Sequence, residues 1–111
     1  MAAVANLRID QGASFSSDVT VTNSDGNAVD LAGYTAEAKL AKSYGASSSV
    51  SFTVSIADDT ATGVITLSLN DTQTGALDAP ARYVYDVYIT QTSSSTVTRV
   101  IEGVITVNPK V

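Results

Sequence analysis

Few side chains in this chain are of a type and spacing that could do chemistry. Asp58 and Asp59 are adjacent, and paired carboxylates can share a proton or bind calcium. Neighbours in a turn usually point apart, and no glycine and distal glutamate follow to complete a ligand ladder. The pair therefore reads as a solvated turn. Asn23, Asp25 and Asn27 have the alternate spacing that opens a calcium loop, but the distal glutamate is again missing. A tight turn on Asp25-Gly26 explains them more simply. A serine nucleophile needs an activating base. The chain has no His, and Lys39 and Lys42 near Ser43 do not form the S-x-x-K order. The glycines are scattered, with no phosphate-binding loop. Cys is absent too, which removes thiolate chemistry and disulfides. The expectation is no catalytic residue, no metal site, no cofactor and no enzymatic activity.

The remaining candidates are contact residues. Five tyrosines, at 34, 44, 83, 85 and 88, are the aromatic reserve. In "RYVYDVYIT" (82–90), Tyr83 and Tyr85 share a face with Val87 and Ile89, and read as core with hydroxyls at the rim. Val84, Asp86 and Tyr88 occupy the other face. A carboxylate on such a strand must face water or find a partner. Arg82 or Arg99 could reach Asp86 across a hairpin, where the pair would lock strand register. Tyr88, Val84 and Tyr44, the last in a loop beside Gly45, are the candidate interface residues.

Positioning these residues falls to β-strands. Alternation of apolar and polar residues gives strands near 6–10, 14–23, 34–42, 50–56, 64–69, 82–90 and 97–107. The 34–42 segment is rich in helix formers, but its strict alternation and flanking turns favour a strand. Val50, Phe52, Val54 and Ile56 read as one face of a single strand. In the last strand, Val97, Arg99, Ile101, Gly103, Ile105 and Val107 alternate with the residues between them. The 70–80 segment has no strand period. Asn70 or Asp71 is expected to cap one helical turn, with Leu77 plugging the core and Pro80 ending it. Loops 43–49 and 91–96 are small and polar. Turn signals every 8–12 residues point to an all-β sandwich or barrel. The expected core is Phe15, Val19, Leu31, Leu40, Phe52, Val54, Ile65, Leu67, Tyr85, Val87, Ile101 and Ile105.

The 111 residues fit one domain, residues 1–111. The net charge is −5, with six Lys and Arg spread along the chain. That excludes the basic stripe a nucleic-acid binder needs. No run approaches the ~20 apolar residues of a membrane-spanning helix. The N-terminus "MAAVANLRID" lacks the basic and apolar regions of a signal peptide.

Several pieces, in order, resemble one family. They are "VDLAGYTAEAKL" (29–40), "GVITLSLNDTQTGAL" (63–77), "ARYVYDVYIT" (81–90) and "TRVIEGVITVNPKV" (98–111). They are similar to the small β-sandwich domain of tailed-bacteriophage structural proteins, in particular the N-terminal domain of baseplate and tail-fibre proteins that hold receptor-binding proteins. Asp30, Leu31, Gly33 and Tyr34 match that family's corner. Arg82, Tyr83, Tyr85 and Asp86 match its tyrosine strand, with Ala81 in place of a glycine. Arg99, Glu102, Gly103, Ile105 and Val107 match its final strand. The resemblance implies a single immunoglobulin-like antiparallel β-sandwich of about seven strands. Asp30, Leu31, Gly33, Asp86, Arg99 and Gly103 would be structural positions.

It also implies a virion protein assembled in the host cytoplasm, whose partners are other virion proteins and copies of itself. With the chain ending at Val111 and no stalk following, a free-standing accessory module of the tail, baseplate or head is expected. Capsid decoration and a carbohydrate-binding, adhesin-like sandwich making weak glycan contacts are the alternatives.

Overall fold

The computed structural model describes residues 3–23 and 25–110, so Ser24 of the expected turn and Val111 of the final motif lie outside the described residues. Two sheets pack face to face. The larger contains β1 (Ala3–Val4), β2 (Leu7–Asp10), β4 (Tyr34–Ala41), β5 (Val50–Ser51), β8 (Ala81–Gln91) and β9 (Thr96–Asn108). Its order is β1-β9-β8-β4-β5, with β2 also on β9. The smaller sheet has the order β3-β7-β6, with β3 (Phe15–Thr20), β6 (Thr53–Ile56) and β7 (Val64–Leu69). The all-β sandwich expected from the alternation is present.

Burial follows the two-residue period. On β7, Ile65, Leu67 and Leu69 are buried, while Val64, Thr66 and Ser68 between them are only half-buried. On β8, Tyr83, Tyr85, Val87 and Ile89 point inward. Phe52 meets the Tyr85 ring edge-on at 6.2 Å and the Phe15 ring at 6.1 Å. Phe15 and Val54, expected in the core, are half-buried on the two edge strands of the smaller sheet, where one flank has no neighbour. Ile9, Val21 and Val107 complete the core instead.

Three features depart from the sequence-based expectation. Residues 50–56 do not form one strand. Val50 and Ser51 pair with β4 in the larger sheet, Phe52 donates its N–H to the Ala38 carbonyl at 2.9 Å, and Thr53 onward pairs with β7 in the smaller sheet. Switching sheets at one residue preserves the alternation, so the sequence pattern continues through the corner. Second, β1 and β2 run parallel to β9, so the sandwich is not wholly antiparallel. Third, the β8–β9 register shifts. Val87 faces Ile101 but Tyr88 faces Arg99, leaving Val100 as an extra residue. This is a β-bulge, and it moves Arg99 off the core face that alternation assigned to it.

Local ties hold the ends. Asn70 caps α1 (Asp71–Gly75) in a reciprocal capping box with Gln73. From that turn, buried Thr74 accepts from the Gly12 N–H at 3.1 Å and donates to the Ala13 carbonyl at 2.9 Å. The helical turn thus fastens the β2–β3 corner, and Leu77 fills the core below it. At the opposite corner, Asp30 accepts from Ala32 N–H and Thr60 hydroxyl, both at 3.0 Å. Leu31 is buried, and Gly33 adopts φ +78°, a conformation that favours glycine.

Gly103 has a different reason. It lies opposite Tyr85 in the middle of β9. A Cβ there would fall 2.1 Å from the Ala5 carbonyl oxygen and 3.0 Å from the Tyr85 ring. The missing side chain lets the Tyr85 hydroxyl donate to that carbonyl, which ties the N-terminal edge to the core. Burial pushes the Tyr85 phenol up to about 12, so it stays a donor at any physiological pH. Gly103→Ala must displace the Ala5 backbone. We expect it to lower the unfolding free energy by at least the ~1–3 kcal/mol of a typical overpacking substitution. Urea denaturation measures this, and wild-type stability in the variant would show that the β1–β2 edge contributes nothing.

Candidate functional site: the outer face of the larger sheet

The outer face of β4, β8 and β9 gathers the polar residues that the sequence singled out. Cross-strand pairing sets Lys39, Asp86 and Glu102 in one row and Glu37, Tyr88 and Arg99 in the next. The bulge at Val100 brings the guanidinium into the middle of these rows. Its Nη2 lies 3.4 Å from Asp86 Oδ2, and its Nη1 donates to Glu102 at 3.3 Å. Its Nε donates to the Tyr88 hydroxyl at 3.2 Å. The Tyr88 and Tyr44 rings lie 5.5 and 5.6 Å from the guanidinium carbon, within cation–π range. Arg99, not Arg82, is the partner of Asp86.

Tyr44 comes from the 43–49 loop. Together with Gly45 and Ala46 it lines a shallow hollow of about 170 Å³ whose floor includes Val84 and Asp86. The loop thus leans over the β4 side of the face and leaves the β9 side open. There Val4 and Val104 are 70% and 36% exposed, and Tyr44, on the loop, is 53% exposed. Val84 faces Val104 across the β8–β9 ladder. Tyr88, Val84 and Tyr44, the candidate interface residues, therefore share one surface. Val4, Val104 and Glu102 belong to it too. Val104 was legible as an apolar residue on the polar side of its strand, whereas Val4 needed its pairing with Glu102 to be placed.

The other polar candidates are occupied locally. Asn23 Oδ1 accepts from the N–H groups of Asp25 and Asn27, as an Asx turn requires. Asp59 caps a short 3-10 turn by accepting from Ala61 N–H at 3.2 Å. Lys42 pairs with Asp78 at the surface, with its ammonium 5.5 Å from the Tyr83 ring centre. Among the described residues no three acidic side chains converge as a metal site would require.

Asp86 has an unusual balance. Partial burial pushes its carboxyl above the ordinary value, Arg99 pulls it down, and Glu102 and Glu37 push it up again. The folded chain then holds this proton to a higher pH than the unfolded chain does. Stability contributed by Asp86 therefore falls as pH rises through the carboxylate range, and stays lower above it. No protein-family model and no curated protein sequence matches the chain.

Asp86→Asn removes the charge while keeping the shape. We expect it to flatten that part of the pH–stability profile and to hold or raise the melting temperature at neutral pH. Thermal melts across the acidic to neutral range check this. A loss of several degrees at neutral pH would mean that the Arg99 attraction outweighs the cost of burial.

Proposed function

We propose that the chain is a non-enzymatic structural protein of a tailed-bacteriophage virion, an accessory module bound in several copies to the tail, baseplate or head. The observation that carries this is the outer face of the larger sheet. It sets exposed Val4, Val104 and Tyr44 around an ion cluster fixed by Arg99. Exposed apolar residues gathered on one face are the kind of surface that protein partners cover. Two further points support the reading. The residues of the family-like motifs hold structural positions here: the Asp30–Thr60 corner, the Tyr85–Gly103–Ala5 tie and the Asp86–Arg99 pair. An immunoglobulin-like assignment draws support from the strand order, with β9, β8 and β4 adjacent in one sheet and β3, β7 and β6 in the other.

On this reading the face works through repetition. Contacts made many times on a lattice multiply into avidity without any one being tight. Capsid decoration is the same proposal with the head as its lattice. A glycan-binding alternative draws on Tyr44, whose exposed ring sits beside carboxylates as in many sugar platforms, and binding on a glycan array would favour it.

Incorporation tests the proposal. Tyr88→Asp is expected to fold, because Arg99 can pair with the new carboxylate, yet to be depleted from particles when expressed beside the wild type. Quantitative mass spectrometry of purified virions gives the ratio. Equal incorporation would take Tyr88 out of the contact, and absence of the wild-type protein from virions would overturn the reading.

A further inference from the structure

The outer face carries a charge order that selects its own partner. Along β8, Arg82, Val84 and Asp86 point outward in succession, the charges about 13 Å apart with valine midway. On the neighbouring strands, Thr106 of β9 lies between Arg82 and Arg8 of β2. Val104 pairs with Val84, and Glu102 with Asp86. On β8, β9 and the N-terminal edge the surface thus has a basic row, an apolar row and an acidic row, in that order along the strands, with Lys39 of β4 flanking the acids on the side away from β9. The acids are held by Arg99. Among the described residues Arg8 and Arg82 have no ion-pair partner, although both are exposed.

We propose that this face binds a second copy of the chain across a two-fold axis lying in the contact plane along the Val84–Val104 row. The inference rests on the outer face being the contact surface and adds which partner covers it. Two in-plane axes could relate stacked sheets. An axis parallel to the strands would place acids on acids and arginines on arginines. An axis across the strands inverts the row order. Valines then meet valines, Asp86 faces the partner's Arg82, and Glu102 lies between the partner's Arg82 and the partner's Arg8. The charge pattern is self-complementary only in the second arrangement, as an isologous contact requires. Sheets stack about 10 Å apart, a gap that Arg and Glu side chains span from opposite sides. The 43–49 loop bounds the patch on the β4 side, so the contact centres on β8, β9 and the β1–β2 edge. Its apolar centre is a single Val84–Val104 row, small beside the interfaces of stable dimers. The dimer is therefore weak, and it depends on salt because its ion pairs sit at a rim.

Sedimentation equilibrium of the full chain, up to about 1 mM, tests this. The expected result is a reversible monomer–dimer equilibrium at low salt that weakens several-fold in about 1 M salt. Arg82→Glu and Glu102→Lys should each be monomeric alone, and an equimolar mixture should associate more strongly than either, because one intact acidic row then meets one intact basic row. If Glu102→Lys does not fold, Arg8→Glu combined with Arg82→Glu, both at exposed positions, should be folded and monomeric. A wild type that stays monomeric at low salt, a dimer indifferent to reversal of the basic row, or a mixture of folded variants that stays monomeric would overturn the inference. These outcomes are separate from the virion test: absence from particles would remove the functional reading and leave the dimer standing.

Discussion

The arrangement of the outer face depends on one extra residue in β9. Strict alternation would send Arg99 inward with Ile101 and Ile105, and an unpaired guanidinium in an apolar core costs several kcal/mol. Val100 absorbs the conflict. As the bulged residue it packs at the core margin while Arg99 turns outward to Asp86, Glu102 and Tyr88. A single register shift therefore keeps the core apolar and gives the surface its only internally paired cation on that sheet among the described residues. It also brings the guanidinium within cation–π range of Tyr44, so one contact between the 43–49 loop and the sheet follows from the same shift.

A second constraint acts on the same strand from the other side. Gly103 leaves the space in which the Ala5 carbonyl and the Tyr85 hydroxyl meet. The parallel N-terminal edge lies on β9 through this contact and through Asn6, whose side chain accepts from Val104 N–H at 3.1 Å. That edge is what places Val4 and Arg8 on the outer face. The glycine and the bulge, three residues apart, thus set both halves of the surface, one by closeness of backbones and the other by direction of a side chain.

Much of this was legible in the sequence. Two-residue alternation located the strands, because each strand buries one face, and Asn70 announced its helical turn by its capping chemistry. The Tyr83–Ile89 face was legible for the same reason. What alternation cannot report is where a strand changes sheet or register. The corner at Phe52 keeps an apolar residue at every second position, so nothing in 50–56 marks the switch. The bulge did leave a trace, since Val100 and Ile101 are adjacent apolar residues where the period allows one. Parallel pairing of the first residues left no trace, because direction depends on a partner about a hundred residues away. Half-burial of Phe15 and Val54 likewise reflects their edge position, which strand order alone determines.

In the proposed dimer the β9 side of the outer face is covered by another copy. Photo-crosslinking tests that claim directly. A benzophenone amino acid replaces Val104 in one sample, and exposed Ser16 of β3 in a control, and each purified chain is irradiated at a concentration where association is measured. Covalent dimers are expected from position 104 only, with adducts mapping to β8, β9 and the β1–β2 edge of the second copy. Dimers from position 16, with none from position 104, would contradict it.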